Sequence, residues 1–199
     1  LNTKFDKLSD EKKVKYSEVI YDSSKNIYSL LENLLQWART QTDKIEFAPT
    51  SFKLKDLVDQ NFTLLKEHLT NKKISLKHDI KDTCDVYADR NMINTVLRNL
   101  LTNAIKFTKA GGNITVSTAE KDGFIEVSIK DTGIGMSEEE TSKLFRVDDN
   151  FSKNGTAGET GTGLGLILCK EFVVKNGGEI WVESSAGKGS KFSFTLRTS

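Results

Sequence analysis

The sequence predicts an α+β fold: a two-layer sandwich in which a mixed sheet is backed by helices, preceded by a long N-terminal helix. Three observations lead there. Residues from about 10 to 42 carry one unbroken helical apolar stripe. After residue 45 the periodicity switches repeatedly, in the order α, β, α, β, β, loop, α, β, β. That order suits helices clustered on one face of a mixed sheet better than a doubly wound parallel sheet. The chain has 199 residues, 37% hydrophobic and 29% charged, enough for one ordinary domain plus an extra element.

In the first helix Ile20, Ser24, Ile27, Leu31, Leu34 and Ala38 recur in steps of four and three. Tyr16, Ile20, Ser23, Ile27, Leu30, Leu34 and Trp37 form a second, overlapping seam. Together they are wider than a two-stranded coiled coil needs and resemble a helix of a bundle. One helix cannot bury such a stripe. Its cover comes from another chain, from residues outside this sequence, or from the rest of the domain. Pro49, flanked by Phe47 and Phe52, closes this region. The boundary divides a helical segment, 1–44, from a domain, 45–199.

Residues 54–69 are helical, with Leu57, Val58, Phe62, Leu65 and Leu69 on one face. Residues 74–80 alternate as a half-buried strand does. Asp89 is placed to cap a helix carrying Met92, Ile93, Val96, Leu97, Leu100 and Ile105, which Lys109-Ala110-Gly111-Gly112 ends. Strands at 114–119 and 124–129 are joined by a hairpin turn at 120–123. Residues 146–163 are polar and glycine-rich. A helix at 164–175 and strands at 179–183 and 191–196 complete the chain.

Charge narrows the partners. Lys plus Arg number 29 against 28 Asp plus Glu, a net charge of +1, so no nucleic acid partner is expected. Lys12-Lys13 and Lys72-Lys73 read as solvated faces. Cys84 and Cys169 lie far apart, which implies no disulfide framework and suits a reducing compartment. His68 and His78 have no ligand cluster around them, so no structural metal site is expected. No apolar run approaches the ~20 residues of a membrane span, so no membrane contact by this segment is expected. The chain begins with Leu1, as a piece of a longer protein would.

Three glycine-bearing stretches stand out. None matches G-x-x-x-x-G-K-[ST] or G-x-G-x-x-G, which excludes a P-loop and a Rossmann fingerprint. Gly161-Thr162-Gly163-Leu164-Gly165 directly precedes a helix, where free N–H groups and the helix dipole attract phosphate and glycines allow close approach. By itself it reads more often as a turn. Asn99 and Asn103 share a helix face, with Lys106 and Phe107 one turn on. An amide oxygen can ligate Mg²⁺ and a lysine can meet phosphate; an exposed polar face is the alternative. Asp131 ends a strand before Gly133 and Gly135. Its carboxylate could accept from an adenine amine, or the residue could simply belong to a turn.

In order, Asn99-Leu-Leu-Thr-Asn103-Ala-Ile-Lys106-Phe107, Asp131-Thr-Gly133-Ile-Gly135-Met and Gly161-Thr-Gly163-Leu-Gly165-Leu resemble the N box and glycine boxes of the ATP-binding domain of sensor histidine kinases. Leu144-Phe145-Arg146 and Phe151 resemble its phenylalanine segment, and Asn176-Gly177-Gly178 and Gly187-Lys188-Gly189-Ser190 match further features. The resemblance covers about 45–199 and implies a Bergerat-type sandwich with ATP under a mobile lid at 146–160. It implies that Asp131 binds the adenine amine and that Gly133 and Gly135 shape its pocket. It places Asn103 on Mg²⁺ with help from Asn99, Lys106 on phosphate, and Phe107 beside the nucleotide. Gly161, Thr162, Gly163, Leu164 and Gly165 would hold the phosphate tail, with Arg146 reaching toward it.

The same resemblance makes 1–44 the second helix of the dimerisation and phosphoacceptor hairpin, through which the intact protein forms a homodimer. It implies transfer of the γ-phosphoryl group to a histidine and then to an aspartate of a response-regulator receiver domain. It also implies a cytoplasmic location, whether or not the parent is anchored in the inner membrane. No histidine here lies in the acceptor pattern, so no catalytic residue is assigned within the chain. Two rivals remain: an ATPase of the same fold, or a non-catalytic interaction module. Such ATPases place a water-activating Glu four residues before the Mg²⁺-binding Asn; here that position is Asn99, which cannot act as a base.

Overall fold

The computed structural model describes residues 8–41, 46–146, 153–157, 159 and 163–199. The helix α1 spans Asp10–Gln41. Then follow β1 (Thr50–Lys53), α2 (Leu54–Asn71), β2 (Ser75–Asp79), β3 (Asp85–Ala88) and α3 (Arg90–Phe107). The second half holds β4 (Asn113–Lys121), β5 (Phe124–Asp131), α4 (Glu138–Lys143), α5 (Gly165–Lys175), β6 (Ile180–Ser185) and β7 (Gly189–Thr198).

Among the described residues seven strands form one sheet in the order β1-β3-β7-β5-β4-β2, with β6 also on β7. β2 pairs with β4 in parallel and the other pairings are antiparallel, so the sheet is mixed. Helices α2, α3 and α5 back it. Alternate residues of the central strands, Ile125, Val127, Ile129, Phe192, Phe194 and Leu196, bury against helix residues such as Leu57, Ile93, Leu97, Leu100, Leu101 and Leu168. Each such side chain contributes about 1.5–3 kcal/mol by leaving water. The opposite face of β5 and β7 is polar: the Ser128 and Ser193 hydroxyls pair at 2.9 Å, and Lys191 reaches Glu126 at 3.2 Å.

Asp89 does more than cap α3. Its Oδ1 accepts from the Asn91 and Met92 N–H groups at 3.0 and 3.1 Å, as its position predicts. Its Oδ2 accepts from Ala48, on the segment arriving from α1, at 3.0 Å. Its own N–H donates to Asn176 Oδ1 at 2.7 Å, tying the start of α3 to the end of α5. The β4–β5 turn is tighter than the sequence suggests. The strands run on to Lys121 and Phe124, leaving Asp122 and Gly123, at φ +52° and +78°, as the two turn residues.

Three elements were not anticipated. β1 and β3, of four residues each, pair mainly with each other at the sheet edge. α4 is opened by a capping box, in which Glu140 N–H donates to Ser137 Oγ at 3.2 Å and Ser137 N–H to Glu140 Oε2 at 2.9 Å. The helix α1 runs against α5, yet Ile20, Ile27, Leu31 and Leu34 remain 64, 60, 57 and 42% exposed. The domain therefore does not cover that part of the stripe. No helix among the described residues is long and apolar enough to cross a membrane.

Candidate functional site

Asp131 ends β5 in the middle of the sheet and is 3% exposed. Its Oδ1 accepts from the Gly133 N–H at 2.7 Å and the Ser190 N–H at 3.3 Å. Both bonds use the same oxygen. Burial pushes the carboxyl pKa up from its ordinary 3.8, and the two N–H groups pull part of the way back. The loop after Asp131 is fixed by close backbone packing. Ile134 N–H donates to the Phe107 carbonyl at 3.1 Å, and Gly187 N–H to the Ile134 carbonyl at 2.7 Å. A Cβ at Gly133 would strike the Phe107 carbonyl. At Gly135, φ +63°, it would strike the Ser185 carbonyl, and at Gly189, φ +86°, the Asp131 carbonyl. Gly187-Lys188-Gly189 and the Asp131 loop thus form one unit: the β6–β7 hairpin lies on the backbone of the acid.

On α3, Asn99 and Asn103 are half-buried one turn apart. Asn99 Nδ2 donates to the Thr95 carbonyl at 3.0 Å. A Cβ at Gly165 would lie 2.9 Å from Asn99 Oδ1, so the start of α5 meets the asparagine face only because residue 165 is glycine. Among the described residues no side chain caps the first turn of α5, and Gly163 turns into it at φ +75°. Leu164 takes the N-cap position. Gly161 and Thr162 lie outside the described residues. Lys106 is 9% exposed, its Nζ 4.8 Å from the centre of the Phe107 ring. Burial lowers its pKa, and the nearby Glu159 carboxylate pulls it back up. Arg146 is exposed just beyond α4, its N–H donating to the Lys143 carbonyl at 3.2 Å. The structure thus joins the three motifs: Asn99 meets Gly165, Phe107 meets Gly133 and Ile134, and Gly189 closes on Asp131.

The composition of 146–160 predicts a mobile lid with few apolar anchors. Residues 147–152, 158 and 160 lie outside the described residues. The described part has anchors, and they are polar. Thr156 N–H donates to the Lys106 carbonyl at 3.0 Å, and its hydroxyl lies 3.0 and 2.9 Å from the Lys106 and Thr108 carbonyls. Lys72 corrects the sequence reading most clearly. Rather than lying in a solvated face, its side chain is 14% exposed and its Nζ meets the Ile105 carbonyl at 2.9 Å, the Lys106 carbonyl at 3.0 Å and Glu159 Oε1 at 2.7 Å. These groups satisfy carbonyls that the end of α3 leaves open. No local pattern marks Lys72, Thr156 or Glu159, because their partners lie far away in sequence.

Among the described residues no group of three His, Cys, Asp or Glu could hold a metal alone. The Asn99 amide oxygen, however, lies against the start of α5. Mg²⁺ is commonly held by few protein oxygens together with phosphate.

A family profile described as histidine kinase-, DNA gyrase B-, and HSP90-like ATPase matches residues 88–199. The adaptive-response sensory kinase SasA of Crocosphaera subtropica is 34% identical over 94% of this chain, which spans about half of SasA, 50% of its length. The crystal structure of the catalytic domain of histidine kinase ThkA is 32% identical, with a TM-score of 0.64 over 77% of this chain and 97% of that one. ThkA in complex with the response regulator protein TrrA gives a TM-score of 0.76 at 25% identity, over 96% of this chain and 53% of that one. With its mixed sheet backed by helices, this chain belongs to the histidine kinase-, DNA gyrase B- and HSP90-like ATPase family, among the catalytic domains of sensor histidine kinases.

Proposed function

We propose that the chain binds ATP with Mg²⁺ and directs the γ-phosphoryl group to a histidine outside these 199 residues. The observation that carries this reading is Asp131: a buried carboxylate with both observed hydrogen bonds on one oxygen, beside glycines packed backbone to backbone. Its second oxygen is the acceptor for an adenine amine, and the Gly133–Gly135 loop is the wall along the ring. Asn103, with Asn99, would hold Mg²⁺, which neutralises charge on the phosphates. Lys106 meets the phosphate tail with its ammonium, beside the Phe107 ring. Residues 161–165, by the family resemblance, and the start of α5 would hold the same phosphates. Catalysis is then positioning and charge neutralisation. Asn99 supplies no base for water, which favours transfer over hydrolysis.

The phosphoryl group passes to an imidazole nitrogen of the acceptor as its bond to the ADP oxygen breaks. Neither histidine of this chain suits that role. His78 Nε2 is held by Asp59 at 3.1 Å on β2, and His68 lies in the last turn of α2. We further propose that α1 belongs to the dimerisation hairpin and that the phosphohistidine serves a response-regulator receiver domain. The ThkA–TrrA complex supports that partner class.

Labelled ATP with Mg²⁺ tests the proposal. The chain should bind ATP in a titration yet take up no acid-labile, base-stable phosphate. A helical hairpin carrying an acceptor histidine, added separately, should become labelled. Absence of ATP binding refutes the nucleotide reading. Label on His68 or His78 refutes the placement of the acceptor.

A further inference from the structure

Glu159 occupies an unexpected position for an acidic residue. Its backbone carbonyl accepts from Gly155 N–H at 2.8 Å, and its Oε2 from Ala157 N–H at 2.8 Å, closing a small loop. Thr156, inside that loop, is bonded to the end of α3, and Lys72 holds both Thr156 and Glu159 there. A Cβ on Gly155 would collide with Glu159 Oε2 and lie 2.5 Å from Lys106 Cγ, so the carboxylate and the lysine stem flank the same point. Lys106 is buried beneath this loop. The Glu159 carboxylate therefore lies against the stem of the lysine assigned to phosphate, whose pKa burial lowers and this charge raises.

We infer that Glu159 is a specificity residue: docked by Lys72 and Thr156, it stands in for nucleotide phosphate beside Lys106 and must be displaced as the phosphate tail enters. The inference rests on the nucleotide-binding reading above. Like charges a few ångströms apart in a partly dry site repel, and the repulsion grows with the charge of the ligand. The docked loop therefore resists ATP more than ADP and leaves adenosine, which carries no phosphate, unaffected. Removing the charge should selectively tighten the more highly charged ligands. Lys72, freed by the displacement, keeps its bonds to the Ile105 and Lys106 carbonyls, so the end of α3 stays capped.

The experiment is a titration of the full chain and of Glu159→Gln with adenosine, ADP and ATP in Mg²⁺ buffer at low salt. Glutamine preserves the size and one acceptor oxygen. The ratio of ATP to adenosine affinity should rise about threefold or more in the variant, with adenosine affinity unchanged, and the rise should shrink at high salt. Gly155→Ala, which forces the carboxylate and the Lys106 stem apart while keeping every charge, should also raise the ratio. An unchanged ratio, or weaker ATP binding in Glu159→Gln, overturns the inference. If the unmodified chain binds none of the three ligands, the nucleotide reading itself fails, a result separate from either of those.

Discussion

Asp131→Asn exchanges one acceptor for one donor and leaves the shape of the pocket intact. Because Gly133 and Ser190 both donate to Oδ1, an asparagine can keep both bonds with its single oxygen. Its NH₂ group then replaces Oδ2 and faces the adenine amine, donor against donor. Losing one buried hydrogen bond and leaving donors unpaired costs about 1–3 kcal/mol, a roughly 5- to 150-fold weaker affinity. The empty protein should not suffer. Asp131 is 3% exposed, and burial raises its pKa above the ordinary 3.8, so the folded chain holds that proton more tightly than the unfolded chain does. This contribution to stability is fully present below the unfolded value and is lost as pH rises through the raised one. The asparagine variant lacks that loss and should be at least as stable as the original chain at neutral pH. Calorimetric titration with ATP and urea unfolding at several pH values measure both effects. Equal ATP affinity removes Asp131 from the site. Weaker affinity together with a destabilised empty protein would make the residue a scaffold, not a ligand contact.

Two further outcomes follow from the same geometry. Gly135→Ala puts a side chain at φ +63° against the Ser185 carbonyl, so the urea midpoint should report a loss of about 2 kcal/mol or more; a loss below about 0.5 kcal/mol would mean the loop yields freely. The exposed stripe of α1 should drive self-association, so the full chain should sediment faster than expected for a monomer while a chain starting at Phe47 should not. Clean monomers in both cases at high concentration would show that α1 folds back onto its own domain.

Local sequence was sufficient wherever the structural cause is local. The N-cap at Asp89 is legible because the N–H groups it satisfies belong to residues two and three positions on. The strands β4 and β5 alternate visibly because one face is buried and the other is polar. The asparagine pair, the aspartate before glycines and the glycines before α5 were each ambiguous alone, and only their order pointed to a nucleotide. The capping box at Ser137 and Glu140 was also written in the sequence, but no apolar run followed it to mark a helix. β1 and β3 lacked even that signal, being four residues long and stabilised mainly by each other.

Tertiary structure decided what depends on residues far apart. Gly189 is needed because the β6–β7 hairpin closes on the carbonyl of an aspartate 58 positions earlier, a contact no sequence window contains. Asn99 meets Gly165 only after α3 and α5 pack side by side. Lys72 looked like one of many surface lysines. It became part of the site because Lys73, at φ +53°, turns the chain there, while Gly111 N–H bonds the Lys72 carbonyl at 3.1 Å. That turn sets its ammonium on the open carbonyls of α3, across from a glutamate 87 residues further on. Periodicity reports which face of an element avoids water, and it carries no information about which charges the packed elements then bring together.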